Sequence, residues 1–428
     1  MKAKVTVKEF DIINEDMLRN AIPNYSDEFQ ELITFIEEFA NSPENADAYE
    51  FMSVKKNRQY GEYVSFKNYV GLIQLKSGFQ IEILPKIDLA TTESEVKRIF
   101  LNMLRAMKDF DGKTFNISNL SVDKMNLYEV FVSLYLQEVS WLVKRGLKSA
   151  YISKEENLSV LKGKLLIKEQ ITKNSTHAEK FYVRYDEYQM NRPENKLIKS
   201  TLLKLLGLSE NANNKKICRQ LLSHFEDIEA STNYDMDFSK VVIDRKTKDY
   251  EMLMKWSKVF LKNKSFTTFA GDSKSRALLF QMDKLFESFV GKYMKKVFAD
   301  SGNVVSTQDK GYYLFDSPDP EFALRPDIVL TKSDNTVVIM DTKWKNLIDD
   351  PRHNYGISQA DMYQMFAYSK KYGEGKYNPE VWLLYPLNKE MKGHAPIEYS
   401  DVFGVKVHVH FVDVSDIEVS LNDLKNAI

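Results

Sequence analysis

Apolar residues recur along this chain at two spacings, and the switches between them mark its elements. From Ser275 to Phe298 they fall at 278, 282, 285, 286, 289, 290, 293 and 297, the spacing of an amphipathic helix. Asp27–Asn41 and Ile357–Tyr372 also read as helices. Met125–Gly146 is apolar on more than one side, which predicts a central helix. Elsewhere the period falls to two. Phe79, Ile81 and Ile83 share one side of a strand and Gln80 and Glu82 the other; Val405–Val412 alternates in the same way. Val7–Ile13 reads as an opening strand, and Val381–Pro386 as a short, fully apolar one. Two β-rich runs, Leu324–Thr331 and Thr336–Lys343, flank the polar stretch Lys332-Ser333-Asp334-Asn335 and predict a β-hairpin.

These elements predict a multidomain chain of α/β and α+β character in three regions. Residues 1–112 form a mixed strand and helix region. Residues 113–270 are mainly helical, with a β-like excursion near Leu158–Arg184. Residues 271–428 return to mixed α and β, with Gly271–Ser275 as the join. There is no internal repeat and no low-complexity tract.

Composition narrows the class. The chain has 428 residues, enough for two or three cores. Its one cysteine, Cys218, permits no internal disulfide and reads as a reduced, partly buried thiol. The charged N-terminus has no apolar signal segment, and no apolar run approaches the roughly 20 residues that span a bilayer. A cytoplasmic protein without membrane association is expected. The net charge of −1 argues against strong non-specific DNA binding by this chain alone. The stretch Lys144–Lys173 departs from that balance, with eight basic and three acidic residues; it reads equally as a contact for DNA or an acidic partner and as a solvated face.

The hairpin carries the chemistry. With its turn near Asp334, Asp327 and Asp341 fall opposite one another, at Cα about 4.5–5.5 Å apart. Carboxylates that close repel unless a cation lies between them. Asp341 follows the apolar run Val337–Met340, so it is expected to be buried and to need a partner. Lys343 shares its face and Thr342 points away. Two acids on a divalent cation with an ammonium beside them is the equipment of phosphodiester hydrolysis. Asp327 and Asp341 would hold Mg²⁺, with Mn²⁺ as a substitute ion, and the carbonyl of Thr342 would add a ligand. Lys343 would orient or help deprotonate the attacking water. Glu287, at the margin of its helix stripe, reads equally as a third acid at the metal and as a solvated carboxylate. Asp361, Gln364 and Tyr368 share one helix face, from which Gln364 and Tyr368 can bond a phosphate or the lysine. Gly373-Glu374-Gly375-Lys376 lacks P-loop spacing, so any nucleotide-driven step belongs to another protein. His408 and His410 share a strand face but lack a third metal ligand, and read as a satisfied or exposed pair.

Glu287, Pro326-Asp327, Asp341-Thr342-Lys343 and Gln364 with Tyr368 together resemble the PD-(D/E)xK nuclease superfamily in its RecB-like branch. More narrowly, LRPDIVL, DTKWK and DMYQMFAY resemble the McrC family of McrBC-type restriction systems. So do Tyr69–Ile87, Asn157–Ile171 and Tyr185–Leu206, which extends the likeness from about residue 50 to the end. The chain is long for that family, which implies extra material in the first fifty residues or the middle. The resemblance implies a C-terminal restriction-endonuclease-like αβ domain with catalytic Asp327, Asp341, Lys343, Glu287, Gln364 and Tyr368. It implies an AAA+ GTPase partner of the McrB type, whose GTP hydrolysis this chain stimulates, and double-stranded, typically methylcytosine-containing DNA reached through the complex. Two other classes stay open: a standalone nuclease with its own DNA-binding region, and a non-catalytic activator of the partner NTPase.

Overall fold

The computed structural model describes residues 4–40, 52–75, 77–107, 125–262, 276–299, 301–317, 319–373 and 377–428. The proposed join at 271–275 and the loop 374–376 lie outside them. The chain packs as two units. One comprises residues 125–262; the other combines the residues up to 107 with those from 276 onward.

The composite unit is held by a strand that the helical spacing concealed. Arg276–Gln281, expected to open a helix, instead pairs antiparallel with Tyr69–Gln74, and the helix begins at Met282 and ends at Val297. Leu278, Leu279 and Phe280 are all buried, and a short apolar run of this kind fits a buried strand as well as a helix turn. The sheet has the order Lys4–Lys8, Gln80–Leu84, Tyr69–Gln74, Arg276–Gln281. Regions 1–112 and 271–428, distinct in pattern, therefore share one sheet. Gly71 permits the contact: its φ is +133°, and a Cβ there would stand 1.9 Å from the Leu278 carbonyl oxygen. Val7–Ile13 is not one strand either. The chain turns at Phe10, whose φ is 73°, and divides into Lys4–Lys8 and Ile12–Asn14, the latter in a separate three-stranded sheet.

A six-stranded mixed sheet forms the C-terminal part of this unit, in the order Val304–Thr307, Ile328–Thr331, Val337–Thr342, Glu380–Pro386, Lys406–Val412, Ile397–Ser400. The three middle strands are parallel, and the pairs at either side antiparallel. Val329, Ile339, Val381, Leu383, Val407 and Val409 present one face to Met365, Tyr368 and Tyr372 of the helix Gln359–Tyr372. The helices Met282–Val297 and Ile417–Ala427 pack together and against the sheet. His408 and His410 point to the face opposite Leu383; His408 stacks on Trp382 with ring centres 4.4 Å apart.

The other unit is built round Leu127–Arg145, buried on more than one side as its pattern requires. Helices Pro193–Leu208, Ala212–Leu222 and Glu251–Lys262 complete this bundle. Cys218 is fully buried rather than partly so, and burial pushes its thiol up to about 11. The β excursion is wider than its pattern suggested: Ala150–Leu158 pairs with Phe181–Gln189 along its whole length, and Lys164–Leu165 adds a short third strand. The basic run lies on this sheet and at its base, and several of its charges have local partners. Lys154 pairs with Glu187 at 2.6 Å, Arg145 with Asp249 at 3.4 Å, and the ammonium groups of Lys162 and Lys173 lie over the rings of Tyr185 and Tyr182.

Among the described residues, no helix is long and apolar enough to cross a membrane.

Candidate active site

The expected hairpin forms, with a shorter first strand. Ile328–Thr331 pairs with Val337–Thr342, and residues 324–327 lead in without strand structure. The turn closes through Asn335, whose φ is 66°, and through Asp334 Oδ1, which accepts from the N–H and hydroxyl of Thr336 at 2.9 and 2.6 Å. The ladder ends at Ile328 opposite Met340. One step further sets Asp327 opposite Asp341, and strand parity puts both on the side of Val329 and Ile339, beneath the helix Gln359–Tyr372.

Thr342 fixes Asp327. Its backbone N–H and its hydroxyl both donate to Asp327 Oδ2, at 2.7 and 2.6 Å. Asp341 is 2% exposed, and its Oδ2 accepts no well-angled hydrogen bond; the Lys343 ammonium stands 2.6 Å from it. Lys343 also donates to Gln364 Oε1 at 2.9 Å, and Gln364 Nε2 donates to the Tyr368 hydroxyl at 2.7 Å. Gln364 and Tyr368 are thus brought to the lysine, one helical turn apart on the buried side of their helix. Asp361, one turn earlier, lies 3.7 Å from Lys343 and accepts from the Tyr385 hydroxyl at 3.5 Å. The sequence put Asp361 on this face but assigned it no role.

Glu287 approaches from the helix Met282–Val297. Gln308 Nε2 donates to its Oε1 at 3.0 Å, while the Gln308 N–H donates to the Asp327 carbonyl at 2.9 Å. Gln308 therefore links Glu287 to the strand entry at Asp327. Sequence reasoning missed it, because it lies in a loop 21 residues from Glu287, and its positive φ of 54° leaves no mark in a periodicity.

Burial dominates the electrostatics. It pushes the carboxyls of Asp341 and Glu287 up to about 7, with Asp327 repelling each. Asp327 is raised by burial as well, against the two hydrogen bonds from Thr342. At Lys343 burial opposes the charge, but Asp341, Asp361 and Asp327 outweigh it and hold the ammonium above its usual range. Among the described residues, no three acidic, histidine or cysteine side chains are already gathered as a metal cage; Thr342 and Lys343 engage the two aspartates instead. The donor set still suits a hard cation. The aspartates are opposed, hard oxygen ligands, disfavoured as a charged pair, and the buried Asp341 is balanced at its Oδ2 by the Lys343 ammonium.

Residues 64–386 match the family model described as McrBC 5-methylcytosine restriction system component. No curated protein shows a significant match. The fold is similar to a chain in the refined half-complex from a tetradecameric assembly of Thermococcus gammatolerans McrB AAA+ hexamers with bound McrC. That match has a TM-score of 0.68 at 19% identity and covers 98% of this chain and 100% of the other. A chain in the cryo-EM structure of the Thermococcus gammatolerans McrBC complex matches with a TM-score of 0.51 at 20% identity, over 69% of this chain and 88% of the other.

Proposed function

This chain belongs to the McrBC 5-methylcytosine restriction system component family, and on that premise we propose that it is the Mg²⁺-dependent DNA-cleaving subunit of an McrBC-like system. The observation that carries the reading is a buried aspartate opposed across one hairpin to a half-buried one, with a lysine ammonium 2.6 Å from the first. A fold needs no such arrangement for stability. Buried like charges cost free energy, and hydrophobic residues of similar volume would pack there at less expense.

Asp327, Asp341 and Glu287 would hold the cation, with the Thr342 carbonyl as a further oxygen ligand. When bound, Mg²⁺ supplies Lewis-acid polarisation of the scissile phosphate and a more acidic water. The protein's own groups do the rest. The two donors of Thr342 hold Asp327 in one orientation. Lys343 stays protonated, so its role is to donate to a phosphoryl oxygen and offset the charge that builds there, rather than to take a proton. Gln364, itself bonded to Tyr368, aims that ammonium. Asp361 adds a negative charge that keeps it cationic.

The partner would be a separate AAA+ GTPase of the McrB type. In the similar Thermococcus gammatolerans assembly, McrC is bound to McrB AAA+ hexamers. We assign docking and stimulation of GTP hydrolysis here to the helical unit within residues 113–270, and delivery of double-stranded, 5-methylcytosine-containing DNA to the partner.

The test is cleavage of methylated plasmid by the reconstituted complex. Asp327→Ala and Asp341→Ala should each reduce cutting to background while leaving the chain folded and bound to its partner. Wild-type cutting by both variants would remove the assignment.

A further inference from the structure

The site is joined to the start of the chain by one carboxylate. Glu9 is fully buried, although it belongs to neither the hairpin nor its neighbouring helices. It lies where the first strand ends; its N–H donates to the Leu84 carbonyl at 2.8 Å, and the chain turns at the next residue. Its two carboxylate oxygens serve different elements. Oε1 accepts from the Asn68 N–H at 2.7 Å. Asn68 in turn opens the helix that carries Glu287: its carbonyl accepts from the Met282 N–H and its Oδ1 from the Asp283 N–H, both at 2.9 Å. Oε2 accepts from the indole Nε1 of Trp344 at 2.9 Å. Trp344 directly follows Lys343, and its ring packs against Phe286, the neighbour of Glu287, with centroids 5.4 Å apart.

We propose that Glu9 is a positioning residue for cleavage: its carboxylate sets the spacing between the helix bearing Glu287 and the strand end bearing Asp341 and Lys343. The inference rests on the nuclease reading of that site. The chemistry requires an acceptor-only group. An ionised carboxylate receives both donors at once, whereas an amide at the same place must turn its NH₂ towards one of them. Losing either of these bonds leaves the Trp344 or Asn68 donor without a partner and frees that element to shift. Catalytic groups tolerate little of this, because misplacement of about 1 Å costs up to about a hundredfold in rate. Burial pushes the Glu9 carboxyl up to about 7, so the arrangement is best examined near pH 8, where the group is ionised.

The experiment uses the full chain in complex with its McrB-type partner, 5-methylcytosine plasmid and Mg²⁺ at pH 8. Glu9→Gln keeps the volume, and Trp344→Phe keeps a ring against Phe286 while removing the indole donor. Each should lower the single-turnover cleavage rate about tenfold, with half-saturating DNA concentration within about twofold of wild type. The double variant should be no slower than the slower single one, because each change cuts the same link from Asn68 through Glu9 to Trp344. Hydrogen exchange at one or both ends of this link, residues 282–285 and 343–346, measured by mass spectrometry on the chain alone, should be faster in both variants. Faster exchange with unchanged cleavage would make the contact merely structural, and unchanged exchange at both ends would mean that Glu9 holds neither; either overturns the proposal. Rates that multiply in the double variant would also overturn it. A wild-type complex that cuts no DNA would instead defeat the nuclease reading, and with it any role for Glu9 in cleavage.

Discussion

Asp341 and Glu287 both have carboxyls near pKa 7 in the metal-free protein, Asp341 from an ordinary value of 3.8 and Glu287 from 4.5, with burial as the main cause. A folded state that binds protons more tightly than the unfolded chain is favoured below the unfolded pKa, and that advantage is lost as pH rises through the folded one. The metal-free chain should therefore lose stability between about pH 4 and 7, by a few kcal/mol at Asp341 alone. Mg²⁺ binds the ionised acids, so it should raise the melting temperature most above pH 7 and little at pH 5. Asp341→Asn should reduce the pH dependence, leaving the part due to Glu287 and Glu9, and abolish the Mg²⁺ effect; melting curves at pH 5 and 8, with and without Mg²⁺, check both. An equal Mg²⁺ shift in Asp341→Asn would place the ion elsewhere. At this scale, much of the site was legible. Face parity alone puts Asp327, Asp341 and Lys343 on one side of two paired strands, and one helical turn relates Gln364 to Tyr368. Gln308 and Glu9 were not legible, because their contacts cross 21 and 335 residues and depend on loop conformations that no local pattern encodes.

Elements whose patterns were unambiguous formed nearly where expected. The hairpin turn, the central helix Leu127–Arg145 and the helix Gln359–Tyr372 all lie within a few residues of their sequence boundaries. Arg276–Gln281 did not follow its pattern, since its fit to a helical period was a coincidence of a short apolar run next to a true helix. The choice of strand was made by tertiary pairing with Tyr69–Gln74, which a window of neighbouring residues does not contain. Gly71 offers a direct test of that pairing. Gly71→Ala would drive a methyl into the Leu278 carbonyl at a φ that L residues rarely adopt. The loss of stability should be at least about 2 kcal/mol, read as a lower melting temperature and earlier proteolysis of the composite unit. An unchanged melting temperature would contradict the close approach of these two strands.

For the whole molecule, the three regions seen in sequence pack as two units, because the first and last share a sheet. The near-zero net charge gives the chain little overall attraction for DNA, and within Lys144–Lys173 the charges of Arg145 and Lys154 are met by Asp249 and Glu187. The isolated chain should bind duplex DNA weakly and with strong salt dependence, with Kd about 10⁻⁴–10⁻⁶ M at physiological salt. It should also cut negligibly with Mg²⁺ alone. Tight binding, or efficient cutting without the partner and GTP, would favour a standalone nuclease. On the proposed reading, one chain carries a nuclease site in its C-terminal part and a separable activator of a partner GTPase in its helical unit. Lys343→Ala in the reconstituted complex tests it most directly, with plasmid cleavage and GTP hydrolysis measured in the same reactions. Cleavage should fall by about a hundredfold or more, as for loss of a group that offsets charge in the transition state, while stimulation of GTP hydrolysis stays at the wild-type level. Undiminished cleavage, or loss of GTPase stimulation in a folded variant, would contradict the account.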